Sequence, residues 1–335
     1  MDSGADIAYN LGQKKDLEVI TPTTNPNPGN DGDWSFPDTE EGILEAIERG
    51  ATHLWANTIL FASHPLQVST KIGQHAKSLR VVGQSPLCVD RYDNKDWVNT
   101  LLRSTGGFTM PRSWTLPPQT GISPNDAAFT DLPYPIVAKP IRGRGSHGVK
   151  VCRSPEELAA HARSLADEDA AVVLEEFLQG EEGTVTVMPP TAGKKGSWAL
   201  PLVSRFNHHD GIAPYNGTVA VTANSRVVAD CERDPICARV MRESERAAEL
   251  LGVTAPIRID VRRYSDSPDS NFALFDVNMK PNMTGPGRPG RDDQASLTMM
   301  AASAIGWDYK ELLGQILATS STLATLRGLK PVEIS

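Results

Sequence analysis

The chain has 335 residues, 39% of them apolar and 22% charged, enough for the buried cores of about two domains without disulfide staples. Its 33 Lys and Arg against 41 Asp and Glu leave a net charge of −8, which argues against nucleic-acid and anionic-membrane binders because both need a basic face. No run approaches the ~18 apolar residues of a spanning helix, and the opening MDSGADIAYNLGQKKDLEVI lacks the basic and apolar regions of a signal peptide, so a cytoplasmic protein is expected.

SGADIAYNL predicts a helix, LEVITPT a strand, and residues 22–37 a Pro/Asn/Gly-rich loop. TEEGILEAIERG sets Ile43, Leu44 and Ile47 on one helical face, with Thr39 to cap it and Gly50 to stop it. THLWANTILFA and LRVVG read as strands, which makes residues 1–92 an α/β unit. A second block, residues 93–179, opens with the amphipathic helix NKDWVNTLLRSTG. The strand YPIVAKPI, a tip carrying Gly143, Gly145 and Gly148, and the strand VKVC then form a hairpin. SPEELAAHARSLA is a helix capped by Ser154, with Pro155 at its first position and Glu157 at the capping-box position. AVVLEEFLQ closes the block as a strand. This strand, Gly-loop, strand, helix, strand order differs from the strand, Gly-loop, helix order of a P-loop or Rossmann site. The third block, residues 180–335, carries the antiparallel strands EGTVTVMPP and SWALPLVSR, the long helix DPICARVMRESERAAELLG, a hairpin of APIRIDVRR and NFALFDVN, and a helical end, ASLTMMAASAIGWDYKELLGQILATS.

Four cysteines, Cys88, Cys152, Cys231 and Cys237, are scattered with no Cys-x-x-Cys pair, so they read as small buried hydrophobes. Two features stand against the overall charge. Residues 139–150, KPIRGRGSHGVK, hold four Lys or Arg, one His and no acid, a pattern suited to an anion. In the hairpin, alternation puts Arg258 with Asp260 on one face and Asp276 with Asn278 on one face. Two carboxylates and an amide oxygen are hard ligands suited to Mg²⁺ on nucleotide phosphates. The plainer alternative is a charged, solvent-facing hairpin. In VVLEEFLQGEE, Phe177 and Leu178 are candidates to sandwich a purine; the plainer alternative is a core strand with an exposed Glu175/Glu176 edge.

Three further segments have two readings each. In GPGRPGRDDQ, Arg288 and Arg291 could hold an amino acid's carboxylate and Asp292 or Asp293 its ammonium, or an Asp could cap the next helix. Lys280 could meet a phosphate or a substrate acid, or face solvent. His208 and His209 are adjacent and would diverge on a strand, so a shared metal is not expected; the loop either lines the acceptor site, with Arg205 or Tyr215 inward, or is plain surface.

The segments DNKDWVNTLL, YPIVAKPIRGRGSHGV, VVLEEFLQGEEGTV, RIDV and LFDVNMKPNMTG, in that order, resemble the ATP-grasp ligases, within them the D-alanine–D-alanine ligase-like branch, over roughly the last seven-tenths of the chain. The resemblance implies an α/β (α+β) ATP-grasp fold: a short N-terminal pre-ATP-grasp domain over 1–92 that lacks the family's first strand, a small subdomain with the Gly-rich loop over 93–179, and a large subdomain with the metal site over 180–335. It implies Lys95 and Lys139 on the ATP phosphates, and Gly145, Ser146 and Gly148 in the loop closing over them. Glu175, Glu176, Phe177 and Leu178 correspond to the hinge that reads adenine, Glu182 to the acid near the ribose, and Phe275 to a side chain packed on the base. Asp260, Asp276 and Asn278 correspond to ligands of two Mg²⁺ ions, with Mn²⁺ as an alternative, and Arg258 to the arginine that stabilises the acyl phosphate and the tetrahedral intermediate. Three positions depart from the branch: Asp276 stands for its usual Glu, Gly143 for a common loop acid, and Asn282 for the Gly of its P-G-M-T motif. The activity implied is ATP-dependent carboxylate–amine ligation through an acyl phosphate, on small amino acid-like substrates, with a homodimer as the default assembly. The competing expectation is a nucleotide-binding module without turnover, serving as a sensor or partner subunit.

Overall fold

Short polar side chains set where the helices begin. The computed structural model describes residues 2–116, 123–125, 127–166, 171–191, 193–212 and 220–334. Thr39 accepts from the Gly42 N–H at the head of the helix Glu40–Glu48, Asn94 from Trp97 N–H ahead of Lys95–Thr105, and Asp234 from Ile236 N–H ahead of Pro235–Leu251. Each satisfies an amide that helix geometry leaves without an internal partner. Gly252, left-handed at φ 61°, ends the last of these.

Among the described residues the strands form three sheets. In the first, β1 (His53–Trp55) runs parallel to β2 (Arg80–Val82). The second holds β3 (Ser113–Leu116), β4 (Ile136–Pro140), β5 (Lys150–Cys152) and β6 (Val172–Glu176) in the order β3-β6-β4-β5, antiparallel throughout. The third holds β7 (Glu182–Met188), β8 (Trp198–Ala199), β9 (Val203–Arg205), β10 (Ser225–Val227), β11 (Ile257–Arg263) and β12 (Phe272–Asn278) in the order β10-β9-β7-β11-β12, with β8 on β7. Near the end of the chain β13 (Ser321–Thr322) returns to pair with β2.

Period-two alternation sorts the third sheet. Ile257, Ile259 and Val261 of β11 are fully buried and pack with Val185 and Val187 of β7 against Val240, Ala247 and Leu251 of the long helix. Each such side chain contributes about 1.5–3 kcal/mol on burial. The residues between them, Arg258, Asp260 and Arg262, are thereby sent to the opposite face. The second sheet does the same: Ile136, Ala138, Val172 and Leu174 meet Leu158, Ala162 and Leu165 of the helix Pro155–Ala166. That leaves Val137, Lys139 and Glu175 on the other side. These two faces, turned away from the apolar cores, bound one cleft.

Three expectations are corrected. Residues 17–23 form no strand, because no neighbouring strand offers them a ladder; Leu17 and Val19 merely pack beside a core cluster. The strand expected over residues 52–62 is paired only at His53–Trp55, since β2 supplies three residues to pair with. The terminal helical stretch is two helices, Leu297–Ala304 and Tyr309–Leu317, parted at Gly306, whose φ of 86° an α-helix does not accommodate. No helix among the described residues is long and apolar enough to cross a membrane.

Candidate active site

The cleft encloses about 900 Å³, including its opening to solvent. Its wall includes Lys139 from β4, Gly143, Gly145 and Ser146 from the loop, Glu175 from β6, Glu182 from β7, and Asp260, Asp276 and Asn278 from the hairpin. Lys95, first residue of its helix, completes it, so most of the residues expected at a nucleotide site converge. The register explains the acid cluster: Asp260 lies directly opposite Asp276 and Arg258 opposite Asn278. Like charges opposed across a ladder repel. The compensation is built in, with Arg258 Nε and Nη2 3.0 and 3.3 Å from the two Asp260 oxygens and Lys95 Nζ 2.7 Å from Asp276 Oδ1. Burial alone would raise the Asp260 carboxyl, but Arg258, the Thr184 hydroxyl at 2.7 Å and Arg205 hold it below the usual carboxylate range. Burial likewise opposes the charge on Lys95, and Asp276, Asp93 and Glu175 more than offset it. The solvent-facing alternative for the hairpin is thus overturned, Asp260 being 8% exposed.

Lys139 is buried, with Nζ 2.8 Å from Glu175 Oε2 and 2.9 Å from the Phe275 carbonyl. Glu175 is buried too and accepts from Asn99 at 2.9 Å, so the exposed-edge alternative fails for it. Val137, Leu178, Ile212 and Phe275 give the cleft an apolar end. Phe177 is not part of that wall; its ring lies 4.9 Å from the Arg262 guanidinium. Glu182 is engaged by Arg205 (3.7 Å), Arg262 (3.6 Å) and His208 (3.0 Å). His209 is exposed beside Asp210, so the two histidines diverge as expected; Tyr215 lies outside the described residues. In the loop, Gly145 and Ser146 are both left-handed, at φ 62° and 59°. Arg144 stacks on Phe61 and pairs with Asp93, tying the loop to neighbouring segments.

The donor set suits a hard divalent ion. Asn278 donates its amide N–H to Asp260 Oδ2 at 3.1 Å, and its carbonyl oxygen has no hydrogen-bond partner among the described residues. Two carboxylates, an amide oxygen and nucleotide phosphates satisfy Mg²⁺, which keeps several waters and takes few protein ligands. No group of three or more His, Cys, Asp or Glu that could hold a metal occurs among the described residues, so an ion here would need the Asn278 amide oxygen, phosphate oxygens and water to complete its shell.

Arg288, Arg291 and Asp292 are not brought to this cleft. Arg288 is fully buried, 2.8 Å from Asp6 and 2.6 Å from Asp31, while Arg291 pairs with Asp6 and Asp2. Asp292 is exposed, and the next helix is capped by Ser296 rather than by an Asp. Lys280 lines a second cleft with Nζ 3.0 Å from Asn57 Oδ1, and burial pushes its pKa down to about 8. Sequence reasoning missed Asn99, Thr184 and Arg262. Alternation along β11 carried a signal for Arg262, two positions beyond Asp260, whereas Asn99 and Thr184 needed the register.

The chain belongs to the D-ala D-ala ligase C-terminus family, whose model matches residues 118–318. It is 27% identical over 197 residues to the D-alanine–D-alanine ligase of Pseudomonas entomophila, covering 58% of this chain and 55% of that one. It is 28% identical over 226 residues to the Aquifex aeolicus D-alanine–D-alanine ligase, covering 67% and 68%. The chain spans about half the length of the Pseudomonas relatives it matches. Its fold is that of the Bacillus anthracis D-alanine–D-alanine ligase complexed with ATP, at TM-score 0.64 and 21% identity over 97% of this chain and 92% of that one. The VanG D-Ala:D-Ser ligase of Enterococcus faecalis is similar at TM-score 0.52 and 21% identity, over 71% and 64%.

Proposed function

We propose that the chain joins a small amino acid-like carboxylate to an amine, using ATP and passing through an acyl phosphate, with release of ADP and phosphate. The observation that carries this reading is that Lys95, Lys139, Asp260, Asp276 and Asn278 meet in one cleft beneath a Gly-rich loop, with Arg258 on Asp260. The cations match a triphosphate, and the oxygens match the divalent ion that accompanies it.

The apolar end formed by Val137, Leu178 and Phe275 suits the purine, and Glu182, beside it, the ribose. Lys95 and Lys139 neutralise the phosphates and orient the γ-phosphoryl group. Gly145 and Ser146 offer backbone N–H groups over it and exclude water, which would otherwise hydrolyse the acyl phosphate, while Gly148 lies outside the cleft wall, packed against Leu165 and Pro140. Asp260, Asp276 and Asn278 would hold Mg²⁺, one ion or two, which screens the repulsion between the phosphoryl oxygens and the attacking carboxylate. The carboxylate oxygen attacks the γ-phosphorus and ADP leaves; the amine then attacks the acyl carbon and phosphate leaves. Arg258, held in place by both Asp260 oxygens, stabilises the developing oxyanion.

The test is ADP release from ATP and Mg²⁺ in the presence of pooled amino acids, with the product identified by mass spectrometry. ADP formation that depends on an acid and an amine is expected. ATP that stabilises the fold while no pool raises ADP above background overturns the ligase reading.

A further inference from the structure

A second cleft opens where the first sheet meets the end of β12. Because β1 and β2 are parallel, they present their carboxyl ends, Trp55 and Val82, to one edge. Thr58 and Gln84, just beyond those ends, line the cleft, with Lys280 and Met283 opposite. Crevices outside the carboxyl ends of parallel strands are where open α/β sheets take ligands. Its free interior is small, about 30 Å³ against about 130 Å³ for the nucleotide cleft, so it suits one end of a molecule rather than the whole of it.

Lys280 is the one charged residue of that wall among the described residues. An ammonium has three donors, and Asn57 Oδ1 takes one of them. No carboxylate among the described residues pairs with Lys280, whereas Lys95 has Asp276 and Lys139 has Glu175. The polar neighbours are already engaged: Gln84 donates to the Ala255 carbonyl at 2.6 Å and accepts from the Thr254 N–H at 2.9 Å, and the Thr58 hydroxyl serves Asp38. A desolvated cation with no counterion is costly, and no partner within the fold offsets it. An anion arriving from solution would.

We propose that Lys280 binds a second carboxylate of the acid substrate, which makes that substrate a small diacid, such as a dicarboxylic amino acid, rather than a neutral amino acid. The inference rests on the ligase reading above. Asn278 lines the nucleotide cleft and the next two residues, Met279 and Lys280, line this one, so the two clefts adjoin along the chain just past the end of β12. One carboxylate then meets the phosphoryl group while the other is held by Lys280. A single cation among apolar walls suits a monoanionic carboxylate, whereas a phosphate group carries nearly two charges and asks for several donors.

Two measurements test the assignment. Calorimetric titration of the full chain with glutarate, butyrate and inorganic phosphate, without ATP, reads the site independently of turnover. ADP release across acidic and neutral amino acids, with ATP and Mg²⁺, reads it in catalysis. The wild type is expected to bind glutarate in preference to butyrate and phosphate. Lys280→Met keeps the apolar stem and removes only the charge, so it is expected to fold. It should weaken glutarate binding and raise KM for the acidic substrate roughly ten- to a hundred-fold, without a matching change in KM for ATP. Lys280→Arg should recover most of the loss. Glutarate binding that Lys280→Met leaves unchanged, phosphate binding tighter than glutarate, or equal kcat/KM for neutral and acidic substrates overturns the assignment. Absence of ADP release with every acid, while glutarate binding still depends on Lys280, supports the anion site and overturns the ligase reading instead.

Discussion

Asp260 and Asp276 face each other across a ladder, and each is balanced by one cation of the chain, Arg258 for the first and Lys95 for the second. The two pairs are not equivalent. Arg258 sits two residues from Asp260 on the same strand and engages both its oxygens, while Lys95 comes from a helix and touches one oxygen of Asp276. Asp276 is therefore the carboxylate free to change partners when phosphates and a divalent ion arrive. Asp276→Asn is expected to lower the rate of ADP release roughly a hundred-fold or more while the melting temperature moves by a few degrees at most. A variant retaining more than a tenth of wild-type turnover would remove Asp276 from the site. These charged residues were legible in the sequence because alternation in a strand is enough to group Arg258 with Asp260. The uncharged partners, Thr184 on Asp260 and Asn99 on Glu175, were not, because they are set by strand register and helix docking.

The helix Lys95–Thr105 joins several parts of the site at once. Its first residue meets Asp276, Asn99 meets Glu175, and Val98, Leu101 and Leu102 anchor it in the core. Its start depends on Asn94, which accepts from the Trp97 N–H at 2.9 Å. Asn94→Ala should cost about 1 kcal/mol in urea unfolding and, by loosening the turn that carries Lys95, should raise KM for ATP several-fold. Unchanged values for both would show that the cap does not position Lys95. Polar caps made this helix and Pro235–Leu251 readable in advance. The short strands were less readable, since a strand exists only where a partner does: the apolar residues Ile59, Leu60 and Phe61 follow β1 but have no ladder to join.

At the scale of the whole molecule the two ends of the chain are tied to each other's neighbourhoods. Ile7 and Leu11 of the helix Asp2–Leu11 pack with Leu312, Leu313 and Ile316, and Asp6 beneath them holds Arg288 and Arg291. Arg288→Met removes one partner of a fully buried pair and should cost about 3 kcal/mol in urea unfolding; adding Asp6→Leu should recover part of that loss. A cost below ~0.5 kcal/mol would show the pair to be dispensable. Tyr92 closes the other end, its hydroxyl accepting from the Val332 N–H at 3.1 Å, and burial pushes its pKa up to about 12. An unfolded tyrosine ionises near pH 10, so between about pH 10 and 12 the unfolded chain loses this proton before the folded one does. Stability from Tyr92 is thus complete below pH 10 and lost as pH climbs to 12, on the order of 1–3 kcal/mol, with Tyr134, also near 12, adding in the same sense. Tyr92→Phe should show a smaller alkaline loss than wild type in unfolding measured at pH 9 and pH 12; identical losses would exclude Tyr92.

The return of β13 to β2 has a consequence for synthesis on the ribosome. Leu323 and Leu326, which follow β13, pack with Ile43, Leu66, Ile72 and Val81, so the first sheet lacks its third strand and part of its core until the chain has grown past Leu326. The nascent first block must wait, its apolar face uncovered, through most of translation, while the second and third sheets draw on strands close in sequence and can assemble as they emerge. The first block, made before the other two, would be the last of the three to settle and the one most in need of a chaperone.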